Sequence, residues 1–404
     1  MSTPIATPTT VPGHDHFLPQ AATAMVWPGP GRRFEAVAVP AVRLERGDVI
    51  VRIELASICP SDLRAIAGDG TVAAPGVLGH EAVGRIVAAD QHARTSGGAR
   101  LLPGMRVVWS TTVSCGRCTF CHRGLPQRCT AAARYGRERM RRHWDLSGAF
   151  ATHVHVRRGS GVVVVGDDVP AAALAPVACA GATAWAAVSR AQTIWGAPIA
   201  GEVVLVAGSG AAALTAVALA VEAGARPVVL AATEDGRRRA LLFGAVAVAD
   251  PTALSGPLSL PRVLAAVDRG GLHRTIGLDF SGRADRIARL AASVVDGGVL
   301  VLASVSTSAP ASVPPGHGHG HGSSLDASLP IGTDRLVRSA ITVAGVTGTD
   351  PCALENAVGF VTETWHRYPF GELVGATYPL DRLEEALAAA GADTAPPRVG
   401  IVPE

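Results

Sequence analysis

The chain contains no lysine: every one of its 36 Lys+Arg positions, among 404 residues, is arginine. That absence excludes a lysine Schiff base or a lysine general base. Any anion must be held by arginine, histidine or backbone N–H. Charge is also scarce, at 17% of residues, and the net charge of +3 is too mild to point to nucleic acid. No apolar run is long enough for a membrane span. The Ala/Val-rich stretch 211–223 is interrupted by Thr215 and Glu222 and suits a buried helix. The opening MSTPIATPTTVPGHDHFLPQ lacks the apolar core of a signal peptide and reads as a floppy leader over residues 1–21. A cytoplasmic protein is therefore expected, whose seven cysteines serve metals rather than disulfides. No internal repeat is visible.

What is present is enough apolar content, 48%, to fill two cores, and a length that suits two domains. From about Ala22 to Val164 short β-rich runs (49–55, 82–88, 106–110, 153–156, 161–165) are divided by Gly and Pro, the punctuation of a barrel-like all-β unit. Residues 171–190 are Ala-rich and helical. From Glu202 strands alternate with helices, which predicts a doubly wound parallel sheet and an α/β protein. The stretch PPGHGHGHGSS, with His317, His319 and His321, interrupts this order as a surface loop.

Two local motifs carry chemistry. Cys115, Cys118 and Cys121 recur at every third position and Cys129 follows eight residues later. Such a loop wraps one point, and four thiolates close a tetrahedron around a structural zinc. An iron–sulfur cluster would accept the same ligands, but nothing else in the chain points to electron transfer. Cys352 has no metal partners in sequence and is expected in the core. Further on, the apolar run Val203–Ala207 leads into Gly208-Ser-Gly210-Ala-Ala-Ala213 and an apolar helix. Gly208 permits the turn, Gly210 lets backbone approach a pyrophosphate, and Ala213 packs helix on strand. The carboxylate expected at the end of the next strand, to hold the ribose, is replaced by Ala231. Thr233 and the run Arg237–Arg239 favour NADP slightly, whereas Glu234 and Asp235 nearby would suit NAD.

A third set is dispersed: Cys59-Pro-Ser61-Asp62, Gly79-His80-Glu81, and Cys179 within Pro176-Val-Ala-Cys-Ala-Gly-Ala-Thr183. Together these supply Cys₂His, the ligands of a catalytic zinc with one position open. In order and spacing, the motifs resemble the zinc-containing medium-chain dehydrogenase/reductase family, the alcohol dehydrogenases, across nearly the whole chain. Arg106-Val-Val-Trp-Ser110, Arg123-Gly-Leu-Pro-Gln127 and Leu146-Ser-Gly148 resemble its phosphonate-catabolism-associated subgroup. The resemblance implies a GroES-like catalytic domain over 22–189, completed by 349–404, around a Rossmann dinucleotide-binding domain over 190–348. It implies a catalytic zinc on Cys59, His80 and Cys179, with Glu81 beside it. Ser61 would hydrogen-bond the substrate oxygen and open a proton relay. Cys115, Cys118, Cys121 and Cys129 would hold the structural zinc. Gly208, Gly210, Ala213, Thr233, Arg237 and Thr183 would meet the NAD or NADP cofactor.

The chain departs from that family in places. Pro60 stands where Gly is usual, and Arg64 where His often completes the relay; a guanidinium cannot pass a proton near neutral pH. Arg64 and the cluster Arg134, Arg137, Arg139, Arg141 and Arg142 are candidates to hold an anionic substrate such as a phosphonate. The expected reaction is hydride transfer between nicotinamide and a small alcohol or aldehyde, by a homodimer or homotetramer with no nucleic-acid or membrane partner. The strand over 341–345 is a candidate pairing edge. Competing expectations are a tailoring reductase or polyol dehydrogenase, a zinc-free reductase of the same fold, and a non-catalytic NADPH-binding sensor.

Overall fold

A computed structural model describes residues 13–68, 72–268, 270–271, 273–304, 330–347, 350–392 and 394–403. The His-Gly stretch with His317, His319 and His321 lies outside the described residues. The chain divides into two compact units, one reaching residue 167 and including 378–388 and 401–404, the other comprising 168–377 and 389–400.

The first unit is built from β1 (His14–Trp27), β2 (Glu35–Leu44), β3 (Val49–Ile58), β4 (Gly76–Val77), β5 (Glu81–Ala89), β6 (Arg106–Val113), β7 (Ala133–Arg134), β8 (His153–Val156) and β9 (Ser160–Val164). One sheet has the order β2-β1-β4; a larger one contains the run β3-β5-β6-β7, with β8 also paired to β3 and β9 to β6. The short strands and antiparallel pairs follow from β-branched runs with Gly and Pro between them. The leader ends sooner than residue 21: His14–Phe17 pair with Ala41–Leu44, and pairing resumes at Ala22 after an irregularity. Leu18 packs with Val39, Val42 and Leu44, which makes this segment part of the core. β2 escapes a pattern reading because Pro40 sits inside it, a residue that argues against a strand interior.

In the second unit, β10 (Val203–Ala207), β11 (Arg226–Leu230), β12 (Ala247–Ala249), β13 (Ile276–Asp279), β14 (Val299–Leu302) and β15 (Thr342–Gly345) form a sheet of order β12-β11-β10-β13-β14-β15. All five of its pairings are parallel. The central strand, β10, is wholly buried because its connections cover both faces. This is the doubly wound arrangement, with the reversal of strand order between β10 and β13.

The helices are α1 (Pro60–Ile66), α2 (Thr119–His122), α3 (Ala171–Leu174), α4 (Ala180–Trp195), α5 (Ala211–Glu222), α6 (Glu234–Leu242), α7 (Leu260–Val267), α8 (Ala284–Ser293), α9 (Thr333–Arg338), α10 (Pro351–Thr364) and α11 (Leu383–Ala390). α4 packs on both α5 and α10. Those contacts hold 171–195 and 351–364 in the second unit, so the division falls near 167 and 378 rather than at the sequence-drawn 189 and 349. Cys352 also departs from expectation. α10 buries Ala353, Leu354, Ala357, Val358 and Val361, and that periodicity leaves Cys352 exposed on the opposite face. Among the described residues no single helix is long and apolar enough to cross a membrane.

Candidate functional site

β3 and β5 run antiparallel, and their register sets Ser57 opposite Glu81. Cys59 follows the last residue of β3 and His80 precedes the first of β5, so the hairpin-like pairing alone brings them side by side. The ligand atoms of Cys59, His80 and Glu81 lie within 4.8 Å of one another. All three residues are buried. Ser57 donates to Glu81 Oε2 at 2.6 Å, which fixes one end of a carboxylate with no exposed surface.

Two features of the local chain hold this set. α1 starts at Pro60, whose fixed φ and missing N–H suit the first helical position. Asp62, in that first turn, accepts the Cys59 backbone N–H through Oδ2 at 2.9 Å and sets Oδ1 3.1 Å from His80 Nδ1. Burial alone would lower the imidazolium pKa, but the Asp62 carboxylate outweighs it and raises His80 well above its usual value. The loop before His80 is clamped by backbone. Ala149 and Phe150 donate to the carbonyls of Gly79 and Leu78, both at 2.9 Å. Gly79 has φ +86°, and a Cβ there would meet the Phe150 ring at 2.6 Å.

Ser61 and Arg64 share one face of α1, three residues apart. Ser61 Oγ donates to Cys59 Sγ at 3.3 Å. Arg64 is half-buried and has no ion pair among the described residues. The segment 134–142 lies against the loop that leads to His80. Ala73 donates to the Arg137 carbonyl at 3.3 Å, Met140 to that of Pro75 at 2.7 Å, and Gly136 meets Gly79 backbone to backbone. Cys179 belongs to the second unit, at the residue before α4, and Thr183 donates its N–H to the Cys179 carbonyl one turn on.

The four-cysteine loop closes as its spacing predicts. Cys118 is the N-cap of one helical turn, α2, which carries Cys121, and a 3₁₀ turn over Pro126–Arg128 returns the chain at Cys129. All four Sγ atoms lie within 4.8 Å of one another; a tetrahedron with Zn–S of about 2.3 Å places its sulfurs about 3.8 Å apart. Backbone N–H groups of Cys115 and Ala131 point at Cys129 Sγ, at 3.3 and 3.4 Å. The thiols diverge electrostatically. Backbone N–H groups of Cys121 and Thr130 pull Cys118 down to about 5, whereas burial and the Cys118 and Cys129 sulfurs push Cys121 up to about 11. The loop by itself does not favour four thiolates; a dication would balance them. Both donor sets thus fit zinc in number, softness and spacing.

At the dinucleotide motif, Gly208 has φ +120° and Gly210 is the N-cap of α5. Ala213 is buried. Thr233 caps α6, its Oγ1 accepting from Gly236 N at 3.1 Å. Arg237 points its Nη1 at the carbonyls of Ala231 and Ala232, both at 2.9 Å, and at Asp250 at 3.3 Å. Arg238 and Arg239 both bind Asp235. Each arginine of the run therefore has a carboxylate partner within the unit, Arg238 and Arg239 sharing Asp235.

Asp62 and Ser57 had no role assigned from sequence. Asp62 was readable as a capping-box residue three positions after Cys59, and Ser57 as a lone hydroxyl in an apolar strand.

The family described as "Alcohol dehydrogenase GroES-like domain" matches residues 45–167. The chain is similar to the geraniol dehydrogenase of Castellaniella defragrans, at 31% identity over 93% of this chain and 95% of that one. Its fold is similar to that of an alcohol dehydrogenase from Thermotoga maritima, with TM-score 0.82 and 24% identity over 95% and 100% of the two chains. A zinc-binding dehydrogenase from Sinorhizobium meliloti, solved bound to NADP, matches with TM-score 0.76 and 22% identity over 95% and 99%.

Proposed function

The chain belongs to the zinc-dependent medium-chain alcohol dehydrogenase family, and from that premise we propose that it moves hydride between a nicotinamide dinucleotide, NAD or NADP, and a small alcohol or aldehyde. The observation that carries this reading is the buried group of Cys59, His80 and Glu81 at the β3–β5 end. Cys59, His80 and Cys179 would hold one zinc, and Cys115, Cys118, Cys121 and Cys129 a second, structural one. When bound, the catalytic zinc supplies a Lewis acid that acidifies an alcohol and polarises a carbonyl.

The protein's own groups do the rest. Asp62 stands 3.1 Å from His80 Nδ1, which would favour Nε2 as the ligand nitrogen. Ser57 holds Glu81 in place. Ser61 Oγ would take the alcohol proton while giving its own to a cofactor ribose hydroxyl and on to water; Arg64 cannot extend that relay. Gly208, Gly210 and the N-terminus of α5 receive the pyrophosphate, with Ala213 allowing close helix–strand packing. Thr233, Arg237 and Thr183 complete the cofactor contacts. Because Arg237 is spent on its own unit's carbonyls and Asp250, it shapes that loop more than it selects a 2′-phosphate. β15 lies at the end of the six-stranded sheet, where a second copy could pair to give a homodimer or homotetramer.

One observation favours an anionic substrate. The half-buried Arg64 has no ion pair among the described residues, and the Arg134–Arg142 segment packs on the loop leading to His80. We therefore carry a phosphonate aldehyde or alcohol as the finer reading, against the apolar alcohol named for the Castellaniella relative. Comparing phosphonoacetaldehyde with an uncharged aldehyde of similar size, in wild type and Arg64→Leu, tests it. The expected result is a KM for the phosphonate that rises about tenfold or more in the variant, with the uncharged KM unmoved. Equal KM values in both proteins would remove the anionic substrate and leave the dehydrogenase standing.

A further inference from the structure

The first unit contains a concave site that none of the chemistry above uses. It is a cavity of ≈ 320 Å³ whose walls include Arg46, His92, Arg94, Arg157, Arg158 and Gly159. It opens at the Val49 end of β3. Cys59 follows the other end of that ten-residue strand, so at about 3.3 Å per residue the two sites lie roughly 30 Å apart along it.

The charge lining this cavity is unbalanced. Of the nearby carboxylates, Glu45 faces one guanidinium, binding Arg157 at 2.8 Å. Asp48 is buried and spent on the backbone N–H groups of Glu45 and Arg158 and on His155 Nε2. Asp90 Oδ1 accepts the N–H groups of Gly47 and His92, at 2.7 and 2.9 Å. Arg46 and Arg158 have no ion pair or side-chain hydrogen bond among the described residues, and both are exposed. The other two guanidiniums are oriented in advance. Arg94 Nη1 is tied to the carbonyls of Gln91 and Ala93, both at 2.9 Å. Arg157 lies over the buried Trp144 ring at 5.5 Å while it binds Glu45. With Arg157 offset by Glu45, the guanidiniums of Arg46, Arg94 and Arg158 remain around one hollow without an ion pair among the described residues, and an anion placed among them would relieve their mutual repulsion.

We propose that this cavity binds a small phosphate-bearing molecule, at a site separate from those for zinc and cofactor. Guanidinium forks match phosphate oxygens two at a time. The volume exceeds what one phosphate fills, which leaves room for a short carbon skeleton, and the concave shape suits a metabolite better than a nucleic-acid strand. The proposal does not rest on the identity of the alcohol substrate.

The test is titration calorimetry on the zinc-loaded full chain with inorganic phosphate and with glycerol 3-phosphate, each with and without NADPH. The NADPH arm blocks the α5 N-terminus, the other phosphate-accepting place. The comparison protein is Arg46→Gln/Arg158→Gln, which keeps the side-chain stems, including the Arg158 stem that lies on Gly47. Zinc content, near-UV circular dichroism and alcohol turnover check that this variant is folded and otherwise unchanged. The expected result is saturable binding of glycerol 3-phosphate in wild type, with or without NADPH, weakened at least about tenfold in the double variant. No saturable binding of either probe, or equal binding in both proteins, would overturn the proposal.

Discussion

His80 has two ring nitrogens, and Asp62 decides which of them is free. Its carboxylate stands 3.1 Å from Nδ1 with both groups buried, while its other oxygen fixes the backbone of Cys59. Asp62 would thus position both proposed ligands at once. Asp62→Asn keeps the size and loses the charge, so zinc affinity at that site should fall about 10–100-fold. The four-cysteine site should be unaffected. Competition with a chelator, reading the two zincs separately, measures this; equal loss from both sites would mean a general destabilisation instead. That Cys59 and His80 come together, and that the four loop cysteines do, was legible in the sequence because their residue types are rare and their order is distinctive. Asp62 was not, because a carboxylate in a helix's first turn is already accounted for by capping.

Among the elements, the loop 115–129 is held by very little besides its four sulfurs. It contributes one short helix and one 3₁₀ turn, and only Cys129 among its cysteines is buried. A segment so poor in apolar contacts depends on its metal for order. Cys121→Ser should remove one zinc per chain and make 115–129 the first site of proteolytic cleavage, while dinucleotide binding by the second unit persists. Limited proteolysis with mass mapping checks this, and an uncut loop at half the zinc content would refute it. Elsewhere, local pattern located an element well where the run was unbroken: β10 falls on the continuous apolar stretch Val203–Ala207. It failed where a contact distant in sequence decided the outcome. His14–Phe17 become strand because Ala41–Leu44 lie beside them, and α4 joins the second unit because α5 and α10 cover it.

For the molecule as a whole, Asp48 links three segments of the first unit: the turn before β3, strand β8 through His155, and the turn after β8 through Arg158. Burial would raise its pKa, but the hydrogen bond and charge of His155 and the N–H groups of Arg158 and Glu45 prevail and hold it below 3.8. Its folded value is therefore depressed. The stability it supplies is fully present above about pH 4 and is lost as pH falls through the folded value. Asp48→Asn should lower Tm at neutral pH, by about 2–3 kcal/mol of stability, and flatten the acid limb of a Tm–pH profile. An acid limb identical to wild type would remove Asp48 from that role. The central claim is the proposed hydride transfer at a zinc for which Cys59 and His80 supply ligands. Its most direct test is a cofactor-absorbance assay of the zinc-loaded chain against a panel of alcohols and aldehydes with NAD(H) and NADP(H), beside Cys59→Ser. Turnover of at least one substrate in wild type, abolished in the variant while cofactor still binds, is the predicted result. Zinc and cofactor both bound with no turnover anywhere in the panel, or turnover unchanged in Cys59→Ser, would contradict it.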